Sequence, residues 1–284
     1  MDQHLKTTVY SPESGVRHPI KLLKDVFADL GQAHSLGLRL AKRNIKAQYR
    51  QSMLGYVWSV LPPLVTSMVW VFLNSQSIVN IADPGVPYPL FVLTGTLLWQ
   101  MFTESVNAPL KGVAGGKSML AKINFPRESL LLSGMYETFF NTTIKLGLLV
   151  GIFAFYQYLP PVSALLCLVG FVALMILGNA VGILLTPIGM LYTDITRLIA
   201  VVLQFGIYLT PVIYPHPRSG LAAQLMQYNP IAPVLTTTRA WLLDMPNTGI
   251  SSFWLITVIA LVLYVIGLFF YRLAMPIVIE RVGS

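Results

Sequence analysis

Cysteine is nearly absent. The 284 residues hold one, Cys167 in an apolar run, so neither a disulfide framework nor a cysteine-based metal site can form. Histidine is sparse, and His4, His18, His34 and His216 show no metal-ligand spacing. Charge is the larger deficit: 11% of residues are charged and 55% hydrophobic, against ~25% charged in an average soluble domain. Such a composition belongs to a membrane protein. Its length suits about six spanning helices with modest loops, not a bundle plus a large soluble domain. Acidic residues are the scarcest charges, 11 against 19 Lys and Arg, for a net +8. In a soluble chain that excess would suggest nucleic acid; here the positive residues are segregated by position, and membrane topology explains them better. Residues 1–15 are polar and lack the apolar core of a signal peptide, so insertion is expected to rely on the first spanning helix. No internal repeat of the inverted-repeat transporters is visible.

Catalytic patterns are missing too. No Ser-His-Asp set or paired carboxylates stand out, and Asp83, Glu104, Glu137 and Asp194 are scattered. The expectation is therefore no enzyme, and in particular no membrane enzyme acting on lipid-linked sugars. Gly116-Lys117-Ser118 resembles the end of a phosphate-binding loop, but that pattern needs a glycine at position 111, where Lys111 stands, and no strand precedes it. The chain is expected to hold no ATP, cofactor or metal of its own.

What is present centres on residues 35–55. At ~100° per residue, Arg39, Arg43, Lys46 and Arg50 share one stripe of a helix, with Leu38, Ala41, Ile45, Tyr49 and Met53 roughly opposite. Residues 51–82 then carry no charge. A basic amphipathic helix running into a membrane-length segment is expected to lie on the cytoplasmic surface and then turn into the bilayer. Before it, residues 1–34 read as a polar cytoplasmic segment with a short helix near 20–30. The predicted fold is all-α, with six transmembrane helices over residues 56–79, 88–106, 129–156, 162–191, 198–214 and 251–271. A basic cytoplasmic loop, 107–128, joins spans two and three. Between spans five and six, helices near 221–228 and 234–243 are each too short to cross ~30 Å of hydrocarbon and form a re-entrant or interfacial pair. Nine Lys/Arg precede the first span and four lie in the second loop, while the first and third loops have none. Both termini are therefore expected in the cytoplasm.

Three features leave alternatives open. Glu137, Asn141 and Lys145 share one face of span three, suited either to pairing with neighbouring helices or to a transport path. The aromatics of spans one, two and five serve either as lipid-interface anchors or as the lining of a conduit whose flat faces pack on sugar rings. Gly206 and Pro211 loosen span five, as a simple kink or as part of a gate.

The stretches RNIKAQYRQSMLGYVWSVLPPL, LLWQMF, SMLAKINFPRE, LYTDITRLIAVVLQFGIYLTPVIYP and YNPIAPV, in that order and spacing, resemble the membrane (permease) subunit of bacterial ABC-type polysaccharide exporters. The O-antigen branch is nearest, with capsule and teichoic-acid exporters as relatives and a drug or lipid exporter permease as a more distant alternative. The resemblance implies a homodimer with two copies of a soluble ABC ATPase, which would bind ATP and Mg. It implies an undecaprenyl-diphosphate-linked glycan as substrate, membrane lipid around it, and no nucleic acid. Carried onto this sequence, it implies ATPase coupling through Arg43, Lys46, Tyr49, Lys117, Lys122, Phe125, Arg127 and Glu128. Arg39, Arg43 and Arg50 would meet the lipid diphosphate at the cytoplasmic entrance. Trp58, Trp70, Phe205, Tyr208 and Tyr214 would line the channel. Pro211, Pro215, Asn229 and Pro230 would belong to a periplasmic gate whose helices lie within residues 215–245.

Overall fold

The computed structural model describes residues 19–50, 52–120, 125–216, 220–247 and 249–283, and every regular element among them is helical. In chain order these are α1 (Pro19–Arg50), α2 (Leu61–Ser75), α3 (Tyr88–Gly115), α4 (Lys117–Leu120) and α5 (Glu128–Phe155). Then follow α6 (Cys167–Leu191), α7 (Thr193–Gly206), α8 (Leu221–Gln227), α9 (Ile231–Leu243) and α10 (Ile250–Gly283), with 3-10 turns at Gly55–Ser59 and Val162–Leu166.

The bundle is built around α3, which packs against α2, α5, α6 and α9, while α10 closes over α6. Small residues set the spacing. Side chains at Gly178 or Gly182 of α6 would run into the α3 backbone at Phe102 and Val106, and one at Gly134 of α5 would meet Ala108. Close backbone approach is how apolar helices gain packing where lipid offers no hydrophobic drive. Ser67 of α2 adds a polar tie, 2.8 Å from the Thr96 hydroxyl.

The buried residues fall into two clusters along α3. The larger surrounds its first half with α6, α9 and the start of α10. The smaller gathers Leu40 of α1, Val113 of α3, Leu130 and Leu131 of α5, and Tyr271, Met275 and Val278 of α10. Met119 and Leu120 of α4 and Phe125 pack on that second cluster, which marks the end bearing the basic segments.

Helices spanning Glu128–Phe155, Val162–Leu191 and Ile250–Arg281 are long and apolar enough to cross a membrane. They coincide with expected spans three, four and six. α3 has the length, at 28 residues, but carries a polar face. Spans one and five are shorter than expected. α2 has 15 residues and α7 has 14, or roughly 21–23 Å of rise, less than the ~30 Å hydrocarbon core. Pro62 and Pro63 explain the first: proline suits the opening turn of a helix, where no amide hydrogen is needed, so α2 begins only there. α7 ends at Gly206 in a run of turns that holds Pro211. The two short helices before the last span appear as α8 and α9.

Two further boundaries differ. The basic helix is continuous from Pro19, merging with the expected 20–30 helix, and stops at Arg50, so exposed Met53 lies beyond it. α3 continues through much of the expected 107–128 loop, to Gly115.

Candidate functional site

Within residues 90–110, every apolar side chain of α3 is buried; the only partly open ones are Gln100, Thr103, Glu104 and Asn107. With exposed Lys111 they follow i, i+3, i+4, i+7 and i+11, one face of a helix. The face runs down the inner half of α3 toward the basic end. Thr103 and Asn107 turn partly inward on their own helix, donating to the carbonyls of Gln100 (2.9 Å) and Thr103 (2.8 Å). The sequence reading singled out only Glu104 here. The missed signal was periodicity: polar residues recurring at helical spacing inside an apolar segment.

Glu104 anchors this face to α5. Its Oε2 lies 2.5 Å from Lys145 Nζ, and Lys145 is 3% exposed while Glu104 is 22% exposed. This pairing gives deep Lys145 its partner on span two. Higher up α5's own inner half, the other two members of the Glu137–Asn141–Lys145 face are held by α1. Asn44 Nδ2 donates to Glu137 Oε1 at 2.7 Å, Ser133 Oγ donates to the same oxygen at 3.0 Å, and the Tyr49 hydroxyl donates to Asn141 Oδ1 at 2.9 Å. Burial first, then Glu104, Tyr56 and Glu137, raises the Tyr49 phenol above its ordinary value, which keeps it a donor. Helix–helix pairing thus accounts for all three residues.

The same contacts fix how α1 sits. Gly37 lies against Ser129 and Leu132, Asn44 against Ser133 and Glu137, and Tyr49 against Asn141, so α1 runs parallel to α5 for about 18 Å. A side chain at Gly37 would meet both neighbours at 3.0 Å. Arg39, Arg43, Lys46 and Arg50 are all exposed on the far side. Arg43 also reaches toward α4, its Nη1 4.0 Å from Met119 Sδ.

Of the expected coupling residues, Arg43, Lys46 and Lys117 are exposed at this end. Tyr49 instead turns inward onto α5. Glu128 is buried and paired with Arg272 of α10 at 3.4 Å, because a carboxylate inside the inner cluster needs a cation. Phe125 and Arg127 are half-buried, and the Arg127 carbonyl accepts from the Tyr271 hydroxyl at 3.2 Å. Lys122 lies outside the described residues.

The expected channel aromatics are only partly together. Trp70 and Tyr208 are in ring contact at 6.3 Å, and the Tyr214 hydroxyl donates to the Tyr208 carbonyl at 2.5 Å. Phe205 and Tyr208 are about half-exposed, and Trp58 stands exposed on the 3-10 turn, with no ring contact to them among the described residues. Among the expected gate residues, Asn229 is a junction. Its Nδ2 donates to the Leu209 carbonyl and the Thr210 hydroxyl, and its Oδ1 accepts from Ile231 N–H at the start of α9. Pro230 stands at the N-cap of α9; Pro211 is buried and Pro215 half-buried beside the turn after α7.

Residues 37–243 match the model of a family described as ABC-2 type transporter. The chain is 24% identical over 246 residues to an O-antigen export system permease protein, RfbA, of Klebsiella pneumoniae, covering 84% of this chain and 92% of that one. With the protein of the same description from Myxococcus xanthus the identity is 25%, over 78% of this chain and 84% of the other. With the polysialic acid transport protein KpsM of Escherichia coli it is 20%, over 81% and 90%.

Proposed function

Because the chain belongs to the ABC-2 type transporter family, we propose that it is the membrane permease of an ATP-driven polysaccharide exporter, with the polar face of α3 as the wet wall of its path. That face is the observation that carries the reading. A row of Gln100, Thr103, Glu104, Asn107 and Lys111 is costly against lipid, so it faces water, substrate or another copy of the chain. Sugar hydroxyls exchange hydrogen bonds readily with such a row, and the open aromatics Phe205 and Tyr208 offer flat faces to sugar rings. Two copies would enclose the path between them. Two soluble ATPases, which would hold ATP and Mg, would push on the exposed basic surface of Arg43, Lys46 and Lys117. The glycan would be of the O-antigen type, carried on undecaprenyl diphosphate, whose charged head would meet Arg39, Arg43 and Arg50 first. Six passages through the inner membrane, with both termini inside, complete the proposal.

Thiol accessibility tests it. Cys167 is buried, so a Cys167→Ser background leaves only introduced thiols reactive. Cysteine at Gln100 or Asn107 should react with a water-soluble maleimide in the membrane, while cysteine at exposed apolar Val150 or Leu255 should not. Reaction at the apolar pair with none at the polar pair would overturn the path. Recovery of a soluble ATPase with the tagged chain, lost in Arg43→Glu/Lys46→Glu, tests the coupling.

A further inference from the structure

At the end of the bundle away from the basic segments, a cleft of about 390 Å³ opens between α9, the start of α10 and the segment after α7. The back of it is Arg239, 3% exposed. Its Nη1 donates to the Val212 carbonyl at 2.9 Å, and its guanidinium carbon lies 3.7 Å from the centroid of the Phe91 ring. Gly95 makes the room, since a Cβ there would meet the Val212 carbonyl and come within 3.0 Å of Nη1. Among the described residues no carboxylate pairs with Arg239, and none lines the cleft. A guanidinium has five N–H donors; one carbonyl and one ring face leave most of them unused, and a buried charge without a counter-charge is strongly unfavourable. A second donor on the same wall is also idle: Asn247 Nδ2 is buried without an acceptor, although Asn247 Oδ1 accepts from Gly249 N–H at 3.0 Å.

Depth says which anion reaches it. From Phe91 at the cleft to Val113 in the inner cluster, α3 rises about 33 Å, close to the ~30 Å hydrocarbon thickness. The basic segments put the inner cluster on the cytoplasmic side, so the cleft lies at the level of the outer headgroups. Phosphates are the anions concentrated there, and a planar guanidinium fork matches two phosphate oxygens.

We propose that this cleft is a phosphoryl-binding site in which the Arg239 fork and Asn247 Nδ2 grip a phosphate group, from a lipid headgroup or from free phosphate. Thr236 and Ser252 border the same space. The site does not depend on what the protein exports, and it differs from the basic α1 surface at the other end.

The test is ligand-induced thermal stabilisation of the purified full chain in an uncharged detergent, at fixed ionic strength. Inorganic phosphate and dihexanoyl phosphatidic acid should both raise the melting temperature, and glucuronate should not. Tighter binding of the lipid assigns the headgroup as the source; equal binding assigns free phosphate. Arg239→Gln should abolish the shift, and Arg239→Lys should weaken binding about tenfold, since an ammonium lacks the fork. Asn247→Leu leaves the Arg239 contacts to Val212 and Phe91 intact and should weaken binding about fivefold, so it decides the matter if Arg239→Gln does not fold. No shift with either phosphate, an equal shift with glucuronate, or unchanged binding in Asn247→Leu overturns the proposal.

Discussion

Glu104→Gln should destabilise the protein more than Lys145→Met, although each breaks the same ion pair. At 2.5 Å and an effective dielectric of ~20, the gross attraction is about 7 kcal/mol, much of it offset by desolvation. What remains after a mutation depends on which charge is stranded. Lys145 is 3% exposed between α3 and α5, so Glu104→Gln leaves a buried cation, and losing one member of such a pair costs about 3–5 kcal/mol. Glu104 is 22% exposed on the open face of α3, so in Lys145→Met the stranded carboxylate has only to turn toward that face, and methionine refills the space. That variant should cost about 1–2 kcal/mol. The double variant strands nothing and should match Lys145→Met, giving a coupling as large as the cost of Glu104→Gln itself, about 3–5 kcal/mol. Unfolding by SDS in mixed micelles, followed by tryptophan fluorescence, measures all three. The reasoning fails if Lys145→Met is as damaging as Glu104→Gln, or if the coupling is below ~0.5 kcal/mol.

Asn44→Leu removes the donor that α1 offers Glu137 and should cost about 1.5–3 kcal/mol in the same unfolding assay; a change under ~0.5 would mean that α1 is held by apolar contacts alone. Gly182→Leu forces a side chain into the α3 backbone at Val106 and should destabilise by about 1–3 kcal/mol or more, seen as loss of monodisperse protein on gel filtration. Arg43→Glu with Lys46→Glu should stop export at unchanged membrane level, because both side chains are exposed and the contact Arg43 makes beyond its own helix is a 4.0 Å approach to Met119 Sδ; a matching fall in protein level would make the surface structural. Tyr208→Ala should slow export more than it lowers abundance, and equal losses would assign the ring to packing against Trp70.

Where hydrophobic length decides the outcome, the sequence was readable. α5, α6 and α10 sit where apolar runs predicted them, and α8 and α9 lie on either side of Asn229-Pro230, each too short to cross. Legibility fades where neighbours decide. A short helix near 20–30 and a separate basic helix from 35 were expected, yet α1 runs through Gly31 and Gly37 as one helix, and Gly37 is the point where it settles against Leu132. Glu128 and Tyr49 looked available to a partner because charge and aromaticity do not announce which way a side chain turns. Their inward aim comes from Arg272, 144 residues downstream of Glu128, and from Asn141, 92 residues from Tyr49. The sequence marked out no role for Arg239; that it is buried follows from the close approach of Gly95 to Val212, which no local pattern encodes.

The parallel ride of α1 on α5 has a mechanical consequence. Axes of packed helices lie ~8–10 Å apart, so a force on the outer arginines of α1 acts on α5 with that lever arm and arrives as torque. Asn44–Glu137 and Tyr49–Asn141 resist slip between the two helices, and Lys145–Glu104 hands the rotation on to α3. If the row from Gln100 to Lys111 walls the proposed path, a twist of α5 would swing it sideways instead of lifting it, and the path would widen as an iris does.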